Sequence, residues 1–100
     1  MQINKPHEIQ INQFQLAILL NDEQKQSYTF LLENGVICNQ CGGISPKGIV
    51  VEEIYLTNLN DIMVRGKCKV CNEKVTRIME FGEDKAFYEN ANFFRRAIGN

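Results

Sequence analysis

Cys38-Asn-Gln-Cys41-Gly-Gly and Cys68-Lys-Val-Cys71-Asn determine how this 100-residue chain folds. Each stretch holds two cysteines with two residues between them, so one tight turn can direct both sulfurs at a single ion. Two such turns supply four soft ligands, which complete a tetrahedron and leave no vacant position. The sequence therefore predicts one structural metal ion, Zn²⁺, bound by Cys38, Cys41, Cys68 and Cys71.

The residues directly after each cysteine pair fit tight turns. Gly42 and Gly43 follow Cys41, and Asn72 follows Cys71. A left-handed backbone conformation at these positions lets amide groups turn towards the sulfurs, and Gly and Asn tolerate that conformation best. Local chemistry and cysteine spacing thus predict the same kind of site.

The 26 residues between the pairs are rich in strand formers. Residues 49–56 are mostly β-branched or apolar, a turn signal rich in Asn and Asp follows, and residues 62–65 return as a second strand. Residues 75–81 form a third run of the same kind. We expect a three-stranded antiparallel sheet, with a hairpin that brings Cys68 beside Cys41.

In these features residues 36–81 resemble the zinc-ribbon fold group. The resemblance rests on Cys38-x-x-Cys41 and Cys68-x-x-Cys71 within strand-rich sequence, and it implies a structural Cys₄ zinc site. Zinc-ribbon proteins include transcription and translation factors, enzyme subunits and protein-interaction adaptors. The resemblance therefore implies a metal and a fold, and no single function.

Residues 1–35 end in a predicted helix. Asn21 or Asp22 can cap its start, acidic side chains lie in its first turn, and Gly35 follows its end. Residues 8–20 fit two structures. Their apolar residues alternate as in a strand, with one slip, whereas their content of Gln, Leu and Ala favours a helix.

Residues 82–100 contain a second predicted helix, from about Asp84 to Ile98. Asp84 can cap its start, and Arg95 and Arg96 lie in its last turn. The predicted apolar face consists of Phe87, Ala91, Phe94 and Ile98. Because this face is continuous, the helix should close over the sheet.

The predicted fold class is α+β: a small three-stranded antiparallel zinc-ribbon sheet with an N-terminal helical segment and a C-terminal helix packed on it. At 100 residues and 11.5 kDa the chain is long enough for one domain and too short for two independent cores. We therefore expect residues 1–100 to form a single domain. Its parts are a helical or mixed segment (1–35), the ribbon (36–81) and the C-terminal helix (82–100).

The net charge and the pattern of apolar residues bear on binding to nucleic acid, on secretion and on insertion into a membrane. Eleven basic against twelve acidic side chains give a formal net charge of −1, whereas proteins that neutralise phosphates carry a basic excess. The first 30 residues lack the features of a secretory signal, and the longest apolar run, residues 16–20, is far too short to span a bilayer. We expect a cytoplasmic protein with no membrane partner, and in that reducing compartment paired cysteines indicate metal rather than disulfides.

Basic residues cluster around the second cysteine pair. The four are Arg65, Lys67, Lys69 and Lys74. They are the strongest sign of nucleic-acid binding in the sequence, so a nucleic-acid-binding regulatory function stays open as an alternative. The other explanation is electrostatic, because a Cys₄ Zn²⁺ site carries a charge of about −2 that nearby cations offset. No aromatic residue interleaves with this cluster in sequence, although single-strand binders usually offer stacking platforms.

No set of residues in the sequence predicts catalysis. A catalytic zinc keeps a water ligand, which four thiolates exclude. His7 is the only histidine, and Glu52 and Glu53 should point to opposite faces of a strand. Two other uses of the thiolates stay open: redox-active dithiols, and electron transfer at rubredoxin-like iron, which tetrahedral sulfur also suits. We expect a protein without enzyme activity.

The predicted strand over residues 49–56 carries apolar side chains on both faces. This pattern indicates a sheet covered on both sides, by the terminal helices or by a second copy of the chain. The leading hypothesis is a small zinc module that presents a surface to a protein partner. Nucleic acid and a homodimer are the alternatives.

Overall fold

The computed structural model describes residues 7–99, and within them it combines antiparallel sheets with three α-helices. In chain order the elements are β1 (Ile9–Ile11), α1 (Gln13–Leu19), α2 (Asp22–Asn34), β2 (Ile37–Cys38), β3 (Gly43–Ile44), β4 (Ile49–Leu56), β5 (Ile62–Cys68), β6 (Lys74–Met79) and α3 (Lys85–Ala97). A 3₁₀ turn at Phe81–Glu83 precedes α3. The predicted α+β class is confirmed.

The main sheet has four antiparallel strands in the order β1-β4-β5-β6. The prediction of a three-stranded sheet is therefore wrong, because Ile9–Ile11 pairs with residues 54–56 of β4 as a fourth strand. The sequence left residues 8–20 open between strand and helix, and three alternating residues do not show that they join the sheet. Only tertiary pairing reveals this fourth strand. β2 and β3 form a separate two-stranded sheet.

The ambiguous residues 8–20 hold both structures in succession. β1 ends at Ile11, and α1 begins at Gln13. Asn12 accepts a hydrogen bond from the Gln15 amide, and the Gln15 side chain accepts one from the Asn12 amide. This capping box fixes the start of the helix. The slip in the apolar alternation thus marks the junction of strand and helix.

The other two helices begin at their predicted caps. Asn21 caps α2 by accepting from the Gln24 amide, and Gly35 ends that helix. Asp84 caps α3 by accepting from two amides of its first turn. Because these signals depend on one residue type at one position, local chemistry predicts them well.

One face of the main sheet carries the larger hydrophobic core. Leu56, Ile62 and Val64 are fully buried there. The helix residues packed against them are Leu16, Leu19, Phe87, Ala91 and Phe94. The C-terminal helix therefore closes over the sheet as predicted, except at Ile98. That residue is 45% exposed, because it follows the last helical turn as the C-cap.

The opposite face of the main sheet is largely uncovered. We call it the open sheet face; the strand register places on it Gln10, Val50, Glu53, Tyr55, Met63, Arg65, Lys67, Lys74, Thr76 and Ile78. Val50 is 54% and Ile78 49% exposed, whereas Met63 is only 7% exposed. The sequence left open whether the terminal helices or a second copy of the chain cover both faces. In the described chain the helices pack on one face only.

A β-bulge interrupts β4 at Glu52. The register with β5 skips this residue, so it is an extra residue in β4 without a partner opposite. On the other side of β4, β1 pairs only with residues 54–56. Residues 49–53 therefore have no strand beside them there within residues 7–99.

Arg95 connects α3 to the loop between β4 and β5. Its side chain is 4% exposed and donates to Asn60 Oδ1 and to the carbonyl oxygens of Thr57 and His7. Asn60 is fully buried and has a φ of 61°, a conformation that Asn tolerates better than most residues. The sequence indicated only a helix-end charge for Arg95, whereas its guanidinium satisfies buried acceptors. His7 itself is exposed.

Among the helices of residues 7–99, none is both long and apolar enough to cross a lipid bilayer. Residues 1–6 and Asn100, which the domain prediction included, lie outside the described residues.

Gly66 should tolerate no side chain, because β5 passes the bulge in β4 at this residue. A Cβ there would lie 2.0 Å from the Val50 carbonyl oxygen. We expect Gly66→Ala to destabilise the fold by about 3 kcal/mol or more, measured by urea denaturation of the metal-loaded chain. Gly43→Ala is the matched control, since nothing lies within 4 Å of its Cβ position. It should change stability by less than about 0.5 kcal/mol, and equal stability of the two variants would contradict the close packing at the bulge.

Candidate metal centre

Two turns and one hairpin bring the four cysteines together. Cys38 ends β2, and Cys41 lies in the turn before β3. Cys68 ends β5, and Cys71 lies in the turn before β6. In the β4–β5 hairpin Ile49 pairs with Cys68, so the chain that leaves the first turn returns beside it. The predicted hairpin between the cysteine pairs is confirmed.

The distances between the sulfur atoms fit a tetrahedral metal site. Sγ of Cys38 lies 3.5 Å from Sγ of Cys71. Sγ of Cys41 lies 3.8 Å from the sulfurs of Cys68 and Cys71, and all four sulfurs lie within 4.8 Å of one another. A tetrahedron with metal–sulfur bonds of about 2.3 Å requires sulfurs about 3.8 Å apart. The four cysteines therefore fit one metal ion.

Both cysteine turns contain the predicted left-handed residue. Gly42 has a φ of 79° and Asn72 a φ of 63°. Their amides donate to the carbonyl oxygens of Cys38 and Cys68, at 3.0 and 2.9 Å, so the two turns close in the same way. The same prediction for Gly43 is wrong, because Gly43 belongs to β3 and pairs with Cys38.

The first cysteine of each pair is buried, and the second is partly exposed. Cys38 and Cys68 are 0% exposed, whereas Cys41 and Cys71 have intermediate exposure. The apolar residues buried with the first cysteines are Val36, Ile49 and Val75. The centre therefore lies at the border of a small second core, with Cys41 and Cys71 towards solvent.

The surroundings of Cys68 and Cys41 shift the pKa values of these two thiols in opposite directions. A hydrogen bond with the Ser45 hydroxyl lowers the pKa of Cys68 to about 6, and the amides of Cys71 and Val70 contribute in the same direction. Burial raises the pKa of Cys41 to about 12, and contacts with the other three thiols add to this. The Cys68 thiolate thus forms readily, whereas the Cys41 thiolate needs a compensating positive charge.

Four thiolates this close together require a cation between them. Two unit negative charges 4 Å apart repel by about 4 kcal/mol at an effective dielectric constant of 20. A divalent ion at the centre replaces this repulsion by attraction and displaces the thiol protons. The electrostatics and the geometry therefore agree that these residues could hold a soft metal ion, with zinc and iron both suited to tetrahedral sulfur.

Ser45 is a residue of this site that the sequence did not reveal. It follows the first cysteine turn, is 1% exposed, and places its Oγ 2.9 Å from Sγ of Cys68. A serine beside Pro46 is ordinary composition for a turn. Neither its residue type nor its spacing therefore indicates that it lies at the metal site. Only the folded hairpin brings Ser45 to the second cysteine pair.

Three of the four predicted basic residues share the open sheet face. Lys67 and Lys74 are register partners on β5 and β6, and Arg65 lies two residues along β5. Lys69 lies apart from them, exposed in the second cysteine turn. The Arg65 guanidinium lies 5.3 Å from the centre of the Tyr55 ring. The fold thus brings an aromatic residue to the cluster that sequence order did not show.

Acidic side chains reduce the positive charge of this face. Lys67 Nζ lies 3.7 Å from Glu52 Oε2. Glu52 and Glu53 both line a recess of about 240 Å³ together with Arg65 and Lys74. The prediction that the two carboxylates point to opposite faces is wrong, because the bulge at Glu52 breaks the strict alternation of the strand. Both carboxylates are placed to offset neighbouring cations.

Comparisons with other proteins assign no family to the chain. No protein-family model matches it, and neither curated proteins nor solved structures provide a match. The likeness to zinc ribbons therefore rests on the cysteine spacing and on the geometry of the site.

Removal of the metal should abolish cooperative unfolding. Structural zinc contributes on the order of 10 kcal/mol in finger peptides, which is comparable with the whole stability of a small domain. A chelator at neutral pH should therefore eliminate the melting transition in calorimetry, and added zinc should restore it.

Cys68→Ser should have the same effect as chelation, because it removes a fully buried ligand. Ser27→Ala, at an exposed position of α2, is the control and should melt like the wild type. A chelated chain that keeps its full transition would show that the fold does not depend on the metal.

Proposed function

We propose that this chain is a non-enzymatic zinc-ribbon module whose metal centre holds a sheet surface in place for a protein partner. One observation carries the proposal: the main sheet combines a four-sulfur site at one end with an uncovered face that bears apolar side chains. The first feature stabilises the fold, and the second is available for binding.

The metal centre supports a structural role. Catalytic zinc sites keep one position for water or substrate, whereas four cysteine sulfurs within 4.8 Å of one another supply every ligand of a tetrahedron. Zinc fits this role because it has no redox chemistry. Elemental analysis of the purified chain distinguishes the metals: about one equivalent of zinc in a colourless protein supports the proposal, and bound iron would favour electron transfer.

The open sheet face offers apolar contacts next to cations. Tyr55, Met63 and Ile78 are register partners and form one row across three strands. Ile78 is exposed and Tyr55 partly exposed, whereas Met63 between them is buried. The cations on the same face are Arg65, Lys67 and Lys74. Exposed apolar side chains that share one face indicate an interaction site more strongly than scattered ones. The complementary partner carries apolar side chains flanked by carboxylates.

Ile78→Asp should abolish binding of the protein partner and leave the fold intact. The substitution places a carboxylate in the apolar row, and the native side chain is 49% exposed. Tagged chains are crosslinked in the cells that naturally produce the protein, and the captured species are quantified by mass spectrometry. Phe30→Asp is the matched control, because Phe30 is 63% exposed on α2 and lies off the sheet.

A partner lost with Ile78→Asp and retained with Phe30→Asp supports the proposal, provided that both variants melt like the wild type. Equal capture by all three chains would place the interaction elsewhere and contradict it. Capture of a second copy of this chain alone, lost with Ile78→Asp, would make the open sheet face a homodimer interface instead.

Nucleic acid is a second candidate for the same face, favoured by the position of Arg65 over Tyr55. A cation beside an aromatic ring is a common element of surfaces that stack and neutralise single strands. Lys67 and Lys74 extend the positive charge across two strands. The pairing of Lys67 with Glu52 weakens this candidate, because it already offsets one of the three cations.

The double variant Lys67→Glu, Lys74→Glu should reduce affinity for a fluorescent single-stranded oligonucleotide by about tenfold or more. The slope of log affinity against log salt should shrink by about 0.7 for each phosphate that the variant no longer neutralises. Lys25→Glu, exposed on α2, should leave both unchanged. A wild-type chain that shows no binding at low salt removes this candidate.

A further inference from the structure

Ser45 reaches from one cysteine turn to the other. It follows the first turn in sequence, yet its Oγ lies 2.9 Å from Sγ of Cys68 in the second pair. The side chain is 1% exposed, so water does not compete for the hydroxyl. The Ser45 amide donates to the Val36 carbonyl oxygen at 2.8 Å, which holds the residue in place.

The two cysteine turns differ at this position. Both close with an amide that donates to the carbonyl oxygen of the first cysteine. Four positions after the second cysteine, the first turn has Ser45 and the second has Val75. Val75 belongs to the apolar cluster that contains both Cys38 and Cys68. Cys68 therefore has a hydroxyl beside it, supplied by the other turn, whereas the side chain of Val75 has no hydroxyl to offer.

The Ser45 hydroxyl has one proton and two acceptors within reach. Its Oγ lies 2.8 Å from Gly48 O and 2.9 Å from Sγ of Cys68. A metal-bound thiolate carries no proton, so a hydrogen bond to it requires that the hydroxyl donates. Gly48 O keeps a partner in that arrangement, because the Lys69 amide donates to it at 3.0 Å. The hydroxyl can therefore turn to the sulfur without leaving this carbonyl unsatisfied.

We propose that Ser45 is a positioning residue of the metal centre, whose hydroxyl donates a hydrogen bond to the metal-bound sulfur of Cys68. This inference rests on the proposed structural metal site and specifies how its ligands are held. A donor to a thiolate ligand orients the sulfur and stabilises part of its negative charge. Partners of this kind contribute about 10–100-fold to metal affinity. Because the donor and the ligand come from different turns, the bond also connects the two cysteine pairs.

Ser45→Ala tests the inference in the Zn²⁺- and Co²⁺-loaded chain. Loss of the hydroxyl should weaken Zn²⁺ binding by about tenfold or more, measured by competition with a chromophoric chelator. In the Co²⁺ form the thiolate-to-metal charge-transfer band should move to longer wavelength, because a sulfur without a donor holds its electrons less tightly. Ser45→Thr, which restores a hydroxyl, should move both readouts back towards the wild type, and Ser27→Ala should change neither.

Two results for Ser45→Ala would overturn the inference. One is wild-type affinity with an unshifted band. The other is weaker affinity with an unshifted band, since Ser45 would then act on the loop and not on the sulfur. A wild-type chain that binds neither Zn²⁺ nor Co²⁺ would be a different failure, because it would remove the metal centre together with the role of Ser45.

The wild-type chain offers a second test that needs no substitution. In the Cd²⁺-loaded protein, NMR should show the Ser45 hydroxyl proton exchanging slowly and coupled to cadmium through the Cys68 sulfur. That coupling supports the inference. A resolved Ser45 hydroxyl proton without the coupling would contradict it.

Discussion

The convergence of four sulfurs on one point is the constraint on which the rest of the structure depends. The two pairs are separated by 26 residues, so the chain must leave the first turn and return beside it. The β4–β5 hairpin does this with a fixed register, in which Ile49 faces Cys68. Because strand residues alternate, that register decides which side chains face the helices and which form the open sheet face. Val51 packs against both hydrophobic clusters and so connects the metal end to the larger core.

Features that depend on local chemistry could be predicted from the sequence. The four cysteines form one cluster because two residues between ligands define a tight turn, and Gly42 and Asn72 adopt the expected left-handed conformation. Asp84 caps the helix that it was expected to cap, and Asn21 is the one of two candidates, Asn21 and Asp22, that caps α2. In each case the required residue type and its position belong to a single turn of the chain.

Features that depend on distant parts of the chain were missed. β1 forms because its three residues pair with the edge of β4, and the bulge at Glu52 arises from the pairing of β4 with β5. Arg95 resembles a helix-end cation in sequence, yet it donates to Asn60 Oδ1 and to the Thr57 carbonyl oxygen in the loop between β4 and β5. The apolar residues of β4 also predicted cover on both faces, because hydrophobicity alone does not say whether a partner within the chain exists. These are contacts between elements, which local patterns do not encode.

The bulge at Glu52 has a consequence for how the chain meets other chains. Within the described residues, β1 protects only the end of β4, and residues 49–53 present backbone groups along a sheet edge. Flat unpaired edges recruit strands from neighbouring molecules and promote aggregation. An extra, charged residue at this point twists the edge and places carboxylates beside it. The protein thereby disfavours growth of its sheet by strand addition.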